Sequence, residues 1–241
     1  MKKLRNLTIG LLCVGMVVPM GCSSFKSMNK TGQNAIVGGA AGGAVGAGIG
    51  ALIGGGKGTW IGALIGSAIG AGAGAAVGHQ MDRQREELEQ ELAQVRQEAG
   101  KRDTTIIVEK VKDSNNLDAI KVVLGDAILF NSGSATLSPA ADAALSRIAY
   151  NLNQNPKTYA TVIGFTDNTG SLQLNNTLSL QRAEAVMNYL ISQGVLASRL
   201  SAKGEGPNNP VASNATAAGR AQNRRVEIYI TAGEQMIKEA Q

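Results

Sequence analysis

The strongest constraint on this chain is a period. From Gly38 a glycine recurs at every fourth position, through Gly42, Gly46, Gly50, Gly54, Gly58, Gly62, Gly66, Gly70 and Gly74 to Gly78, with Ile, Leu, Val and Ala between. In water each helical glycine costs about 1 kcal/mol relative to alanine, so local propensity alone does not hold such a helix. Residues four apart share one helix face, and glycine there lets a second backbone approach closely, as happens in lipid, where every backbone group must also be satisfied internally. Residues 35–53 and 59–77 carry no charge and are close to bilayer length at about 1.5 Å per residue. Gly54-Gly55-Gly56-Lys57-Gly58 supplies a turn, and the likeness of GIGALIGGG to WIGALIGSA suggests an internal duplication. Residues 35–78 therefore read as a helical hairpin that inserts in a bilayer or self-associates; a flexible glycine-rich spacer is the alternative. Gly56-Lys57-Gly58-Thr59 is not a phosphate-binding loop, because Ala51 stands where the first glycine belongs and Gly58 where Ser or Thr must follow the lysine.

The flanks say where this hairpin travels. Lys2-Lys3-Leu4-Arg5 followed by the apolar run 7–20 has the form of a secretory signal, residues 1–21. Gly21-Cys22-Ser23-Ser24 resembles a bacterial lipoprotein cleavage site with Cys22 as the acylated first residue, although Pro19 stands where leucine is usual. An ordinary signal peptide that leaves Cys22 as a free thiol is the other reading. Ser23 and Ser24, with no Asp after Cys22, resemble an outer-membrane sorting context. Cys13 departs with the signal, so the mature chain forms no internal disulfide. A single histidine, His79, provides neither a zinc set nor a Ser-His-Asp arrangement, so no metal and no cofactor is expected. The formal charge is +5, and removing Lys2, Lys3 and Arg5, with no acid before Cys22, leaves +2. Basicity is thus a targeting feature, and nucleic acid is not an expected partner.

Beyond a polar spacer at 22–34 and the hairpin, residues 79–103 read as a charged helical linker. Met81, Leu88, Leu92, Val95 and Ala99 form a narrow apolar seam, suited to weak pairing in a dimer or to a rigid arm of about 30 Å. His79 would mark the membrane-water boundary. Residues 104–116 read as an appended strand and hairpin turn, and residues 117–232 as an α+β domain. Its strands fall at 117–124, 158–165, 199–204 and 226–230. Its helices begin at Ser138-Pro139, near Leu174 and at Ala217. This β-α-β-α-β alternation predicts a sheet with helices on one face; residues 233–241 remain as a polar tail.

The chemistry concentrates between Gly164 and Leu190. Val162-Ile163-Gly164-Phe165 ends a buried strand and Thr166-Asp167-Asn168-Thr169-Gly170 is a turn, which sets the Asp167 carboxylate at a strand's mouth. Arg182 lies two turns inside the following helix, on the side of Asn175 and Leu178. An acid and a guanidinium a few ångströms apart suit a zwitterion, because the acid accepts from an ammonium and the guanidinium forks onto a carboxylate. The plainer alternative makes Asp167 a turn cap and Arg182 half of a surface ion pair worth little.

Asn175-x-x-Leu178-Ser179-x-x-Arg182-Ala183-x-x-Val186-x-x-x-Leu190 is preceded by Gly164-Phe165-Thr166-Asp167 and followed by Asn223-Arg224-Arg225-Val226-Glu227. With Phe130-Asn131-x-x-Ser134-Ala135-x-Leu137, Ser198-Arg199-Leu200 and Gly204-x-Gly206 in order, the pattern resembles the OmpA-like peptidoglycan-binding domain. The glycine stretch is similar to the glycine zipper of some OmpA-family lipoproteins. The resemblance implies that Asp167 and Arg182 hold the diaminopimelate side chain of the wall peptide, with Thr166, Asn175 and Leu178 beside them. It puts Arg224 near the ligand, equally readable as an ion-pair partner of Asp167 or Glu227. It further implies a lipoprotein anchored in the outer membrane through Cys22, with its domain in the periplasm, binding peptidoglycan noncovalently, and a possible homo-oligomer through the zipper. Two rivals remain. A wall hydrolase needs paired carboxylates or a metal, and no second acid partnered with Asp167 is evident, so no enzyme is expected. A pore or assembly factor would act through the hairpin and use the domain only as a wall anchor.

Overall fold

The structure, a computed structural model, describes residues 73–99, 105–131 and 133–241. The expected signal peptide, Cys22, the spacer and the glycine hairpin up to residue 72 lie outside them. Among the described residues no helix is long and apolar enough to cross a membrane. The elements are α1 (Ala73–Ala99), β1 (Ile106–Lys112), β2 (Asp118–Gly125), α2 (Asp126–Leu129), α3 (Pro139–Gln154), β3 (Thr158–Phe165), α4 (Leu172–Ser192), a short 3-10 turn (Ala197–Arg199), β4 (Leu200–Gly206), α5 (Ala217–Asn223), β5 (Arg225–Ala232) and α6 (Glu234–Glu239).

Hydroxyl caps set three of the helix starts. Ser138 Oγ accepts from Ala141 N ahead of Pro139, Ser171 Oγ from Leu174 N, and Thr216 Oγ1 from Gly219 N. Because Ser171 is the cap, α4 begins two residues before the expected Leu174.

The five strands form one sheet in the order β1-β2-β5-β3-β4, antiparallel except for the parallel β3/β4 pair. Alternation divides its faces. Ile120, Val122, Leu124, Ala160, Val162, Val226, Ile228 and Ile230 join one core with Leu145, Ile148 and Leu152 of α3 and Ala183, Val186 and Leu190 of α4. The opposite face carries Lys121, Tyr229, Thr161 and Ser201 in one row across the sheet, where Ser201 Oγ bonds Thr161 Oγ1 at 2.9 Å. The α+β sheet with helices on one face is therefore the observed fold.

Two expectations are corrected here. The charged helix is not a free arm: Val77, Met81, Leu88, Leu92 and Val95 are buried in the same core as the sheet. Gln84 Nε2 donates to Asn151 Oδ1 at 2.9 Å, which fixes α1 on α3. A narrow apolar seam fills one groove, and this chain provides that groove itself, so the seam is not left for a dimer. The helix also runs unbroken through Gly78 and an exposed His79, so the last turn of the glycine period belongs to the packed helix. The polar tail likewise forms α6, which buries Met236 and Ile237 and meets α1.

Candidate functional site

Register brings the site together. Gly125 of β2 pairs with Arg225 of β5, and Arg225 pairs with Phe165 of β3. The residues that step off the sheet from this row are Asp126, Arg224 and Thr166-Asp167, all at one end. Asp126 N donates to Arg224 O at 3.0 Å, which ties the first two together through the backbone.

Close approach brings α4 to the same end. A Cβ on Gly164 would lie 2.0 Å from Ser179 O and one on Gly204 2.5 Å from Leu180 N, so only glycine allows the helix backbone to rest on β3 and β4. Ser179 Oγ accepts from Gly206 N at 2.9 Å. One turn further on, Arg182 reaches across the strand ends. Its Nη2 lies 2.8 Å from Asp126 Oδ1, its Nε donates to Ser134 O at 3.1 Å, and its Cζ sits 5.1 Å from the centroid of the Phe130 ring.

Arg224 completes a chain of four charges. Its Nη1 lies 2.7 Å from Asp167 Oδ2 and its Nε 3.5 Å from Asp126 Oδ2. Asp167 Oδ1 accepts from Thr169 N at 2.8 Å. The sequence Asp167, Arg224, Asp126, Arg182 is thus continuous and charge-neutral. Burial pushes the Asp126 carboxyl up, against the pull of Arg182 and Arg224 and with that of Asp167. Burial also raises Asp167, but the bonds from Arg224 and Thr169 outweigh it and hold this carboxyl below its ordinary range. Burial lowers Arg182, opposed chiefly by Asp126.

The structure places Asp167, Arg182 and Arg224 in one cluster, but not as an open acid and base. Arg182 is buried and already engaged by a carboxylate, Asp126, to which sequence reading gave no role. Arg224 pairs with Asp167, one of its two expected partners, while Glu227 takes Arg225 instead, Nε to Oε1 at 2.7 Å. Asn175 is buried and its Nδ2 donates to Thr169 O at 3.0 Å, which braces the Asp167 turn. Leu178 is half-buried on α4. Thr166 is buried, and its hydroxyl has no hydrogen-bond partner. The expectation that Asp167 lacks a second acid nearby is overturned by Asp126. Each of the two carboxylates is tied to a guanidinium, which holds a carboxylate in place rather than delivering a proton. Among the described residues no cluster of His, Cys, Asp and Glu could hold a metal. The signal that could have found Asp126 was its place directly after Gly125 at a strand end. Phe130 and Ser134 stood in the quoted pattern without a role.

A five-stranded sheet with helices on one face, and a neutral ion cluster at the strand ends, define this as an α+β module. Residues 129–224 match the OmpA family and residues 1–82 match the YMGG-like Gly-zipper, so the chain carries an OmpA-like domain behind a glycine-zipper stretch. It is 51% identical over 114 residues to "Probable lipoprotein YiaD" of Escherichia coli K12, covering 47% of this chain and 52% of that protein. It is 46% identical over 112 residues to "Peptidoglycan-binding protein ArfA" of Mycobacterium bovis, covering 46% of this chain and 34% of that protein. The chain thus spans about half the length of the first relative and a third of the second. Among solved structures, the cell wall anchor of the T6SS from Pseudomonas aeruginosa matches with a TM-score of 0.51 at 34% identity, over 61% of this chain and 99% of that one.

Proposed function

We propose that this chain is a lipoprotein of the cell envelope that binds peptidoglycan noncovalently through the diaminopimelate of the stem peptide and tethers the outer membrane to the wall. The observation that carries this reading is the neutral cluster at the strand ends, where Asp167 and Arg224 set an anion and a cation side by side and Arg182 braces them through Asp126, a match for a side chain that ends in both charges. The names of the peptidoglycan-binding protein ArfA and of the Pseudomonas aeruginosa cell wall anchor support a wall peptide over other zwitterions. The likeness to the probable lipoprotein YiaD supports the lipoprotein reading of Cys22, and these relatives favour a binding protein over an enzyme. Thr166 and Asn175 line the Asp167 turn, and Leu178 sits one helical turn before Arg182. Single contacts of this kind are weak, and many tethered copies on a repeating lattice supply avidity.

The test is pelleting of the full chain with sacculi that contain diaminopimelate, beside sacculi that contain lysine. Asp167→Ala and Arg182→Ala are expected to abolish the first, and retention of pelleting by both folded variants would refute the site. Cys22→Ser is expected to move the protein from the membrane to the soluble periplasmic fraction; unchanged fractionation would sink the anchor.

A further inference from the structure

We propose that Asp126 and Asp167 together form the seat for a ligand ammonium, and that Arg224 is a resident cation filling that seat until the ligand arrives. This rests on the function proposed above and assigns two further roles within the same site.

The four charged side chains are not equally free. Arg224 is 37% exposed, Asp126 15%, Asp167 10% and Arg182 3%. Arg182 is fixed by Ser134 O, Asp126 and the Phe130 ring, so it cannot leave its place and acts as the cation that holds Asp126. Arg224 alone reaches both carboxylates and is also half open to solvent. Its hold on Asp126 is loose, 3.5 Å from Nε to Oδ2. Asp126 Oδ1 is a second sign of an unfinished site. It is buried and only ion-paired with Arg182, with no hydrogen bond of proper geometry, and a buried charged oxygen in that state is costly.

The charges balance in both states. With Arg224 turned outward, two carboxylates and the Arg182 guanidinium leave one negative charge, which one ammonium restores. An ammonium has three donors and no acceptor, which suits carboxylate oxygens on either side. The displaced Arg224 then stands at the rim with its planar fork open, the geometry that grips a carboxylate through two parallel bonds. A ligand carrying ammonium and carboxylate side by side thus exchanges both charges with one residue. A ligand with the ammonium alone evicts Arg224 and gives it nothing, and one with the carboxylate alone finds Arg224 engaged. Specificity for the doubly charged end follows from this exchange.

Calorimetry of the full chain in detergent against three synthetic stem peptides tests it. One carries diaminopimelate, one lysine in its place, which lacks the second carboxylate, and one the deaminated residue, which lacks the ammonium. Asp126→Asn is expected to weaken the diaminopimelate and lysine peptides about tenfold, the equivalent of roughly 1.4 kcal/mol, and to leave the deaminated peptide unchanged. Arg224→Gln, at a half-exposed position, is expected to strengthen the lysine peptide several-fold while weakening the diaminopimelate peptide, so that the preference between them collapses. If the wild-type chain binds but Asp126→Asn weakens all three peptides by one factor, or Arg224→Gln weakens the lysine peptide as much as the diaminopimelate one, the resident-cation proposal is overturned and the function above stands. A wild-type chain that binds none of the three overturns both.

Discussion

Two buried arginines stand at opposite ends of β3, and they differ in what they touch. At the start of the strand, Arg199 donates from Nε to Thr158 O at 2.8 Å and from Nη2 to Leu152 O at 2.8 Å and Asn155 O at 2.9 Å. All of these acceptors are neutral groups. At the other end Arg182 has one carbonyl and one carboxylate, and belongs to a cluster that ends at solvent. The first arginine closes the end of α3 against β3, with its Nε and Nη2 donors committed to backbone carbonyls. The second sits among groups whose ion pairs can be exchanged. Burial alone therefore does not mark a binding residue; the chemistry of its partners does.

The largest expected effect breaks this contrast if it fails. Arg199→Ala strands several buried carbonyls and is expected to cost about 3–5 kcal/mol in urea unfolding, with wall binding of the folded protein intact. Arg182→Ala is expected to cost less, about 1–3 kcal/mol, because Asp126 keeps Arg224, yet to abolish binding. Parallel losses of stability and binding in both variants would erase the distinction.

Much of the domain was legible because its signals are local. Ser138-Pro139 and the β3 run state their structure within a few residues, and glycines 164 and 204 appeared in the quoted pattern before their close approach to α4 gave the reason. Asp126 was not legible, because its importance is a matter of register. Nothing in Gly125-Asp126 alone says that β2 pairs with β5 and β5 with β3, so that three strand ends coincide. The docking of α1 was hidden for a similar reason. Its apolar seam was visible, but a seam does not say whether its groove lies in a second copy or in α3. The same limit applied to Met236 and Ile237 in the tail.

Leu88→Ala tests the α1 correction at the Arg199 end. Leu88 is fully buried where α1 joins the core, and truncation there is expected to cost about 2–4 kcal/mol by cavity formation. α1 packs on α3, whose last carbonyls receive Arg199, so this loss falls on the structural end and leaves binding unchanged. A cost near zero would restore the picture of a free arm. Gly164→Ala acts from the opposite end. Its Cβ meets the Ser179 carbonyl, a backbone atom that cannot move aside alone, so α4 must shift at a cost of about 1–3 kcal/mol. Arg182 rides on that helix, and binding is expected to fall by more than the stability loss predicts. Full binding in a destabilised Gly164→Ala chain would mean that the position of Arg182 is not critical.

The smallest effect is in pH, and only one end of β3 should feel it. The groups facing Asp126 are Arg182 from α4, Arg224 ahead of β5 and Asp167 after β3. Because burial raises Asp126 above 3.8, its charged form is disfavoured by folding, and its protonation as pH falls through the raised value favours the folded state. Asp167 is lowered, so its contribution to stability is present above its unfolded value and is lost only as pH falls through the depressed folded one. On acidification Asp126 therefore protonates first. Binding of an ammonium that needs both carboxylates should weaken in a first step while the fold holds, and stability should decline at lower pH as Asp167 titrates. Asp126→Asn is expected to remove that first step from the binding profile while Arg199 variants keep it. A wild-type profile whose binding and unfolding transitions coincide would show that Asp126 takes no part in holding the ligand's positive charge.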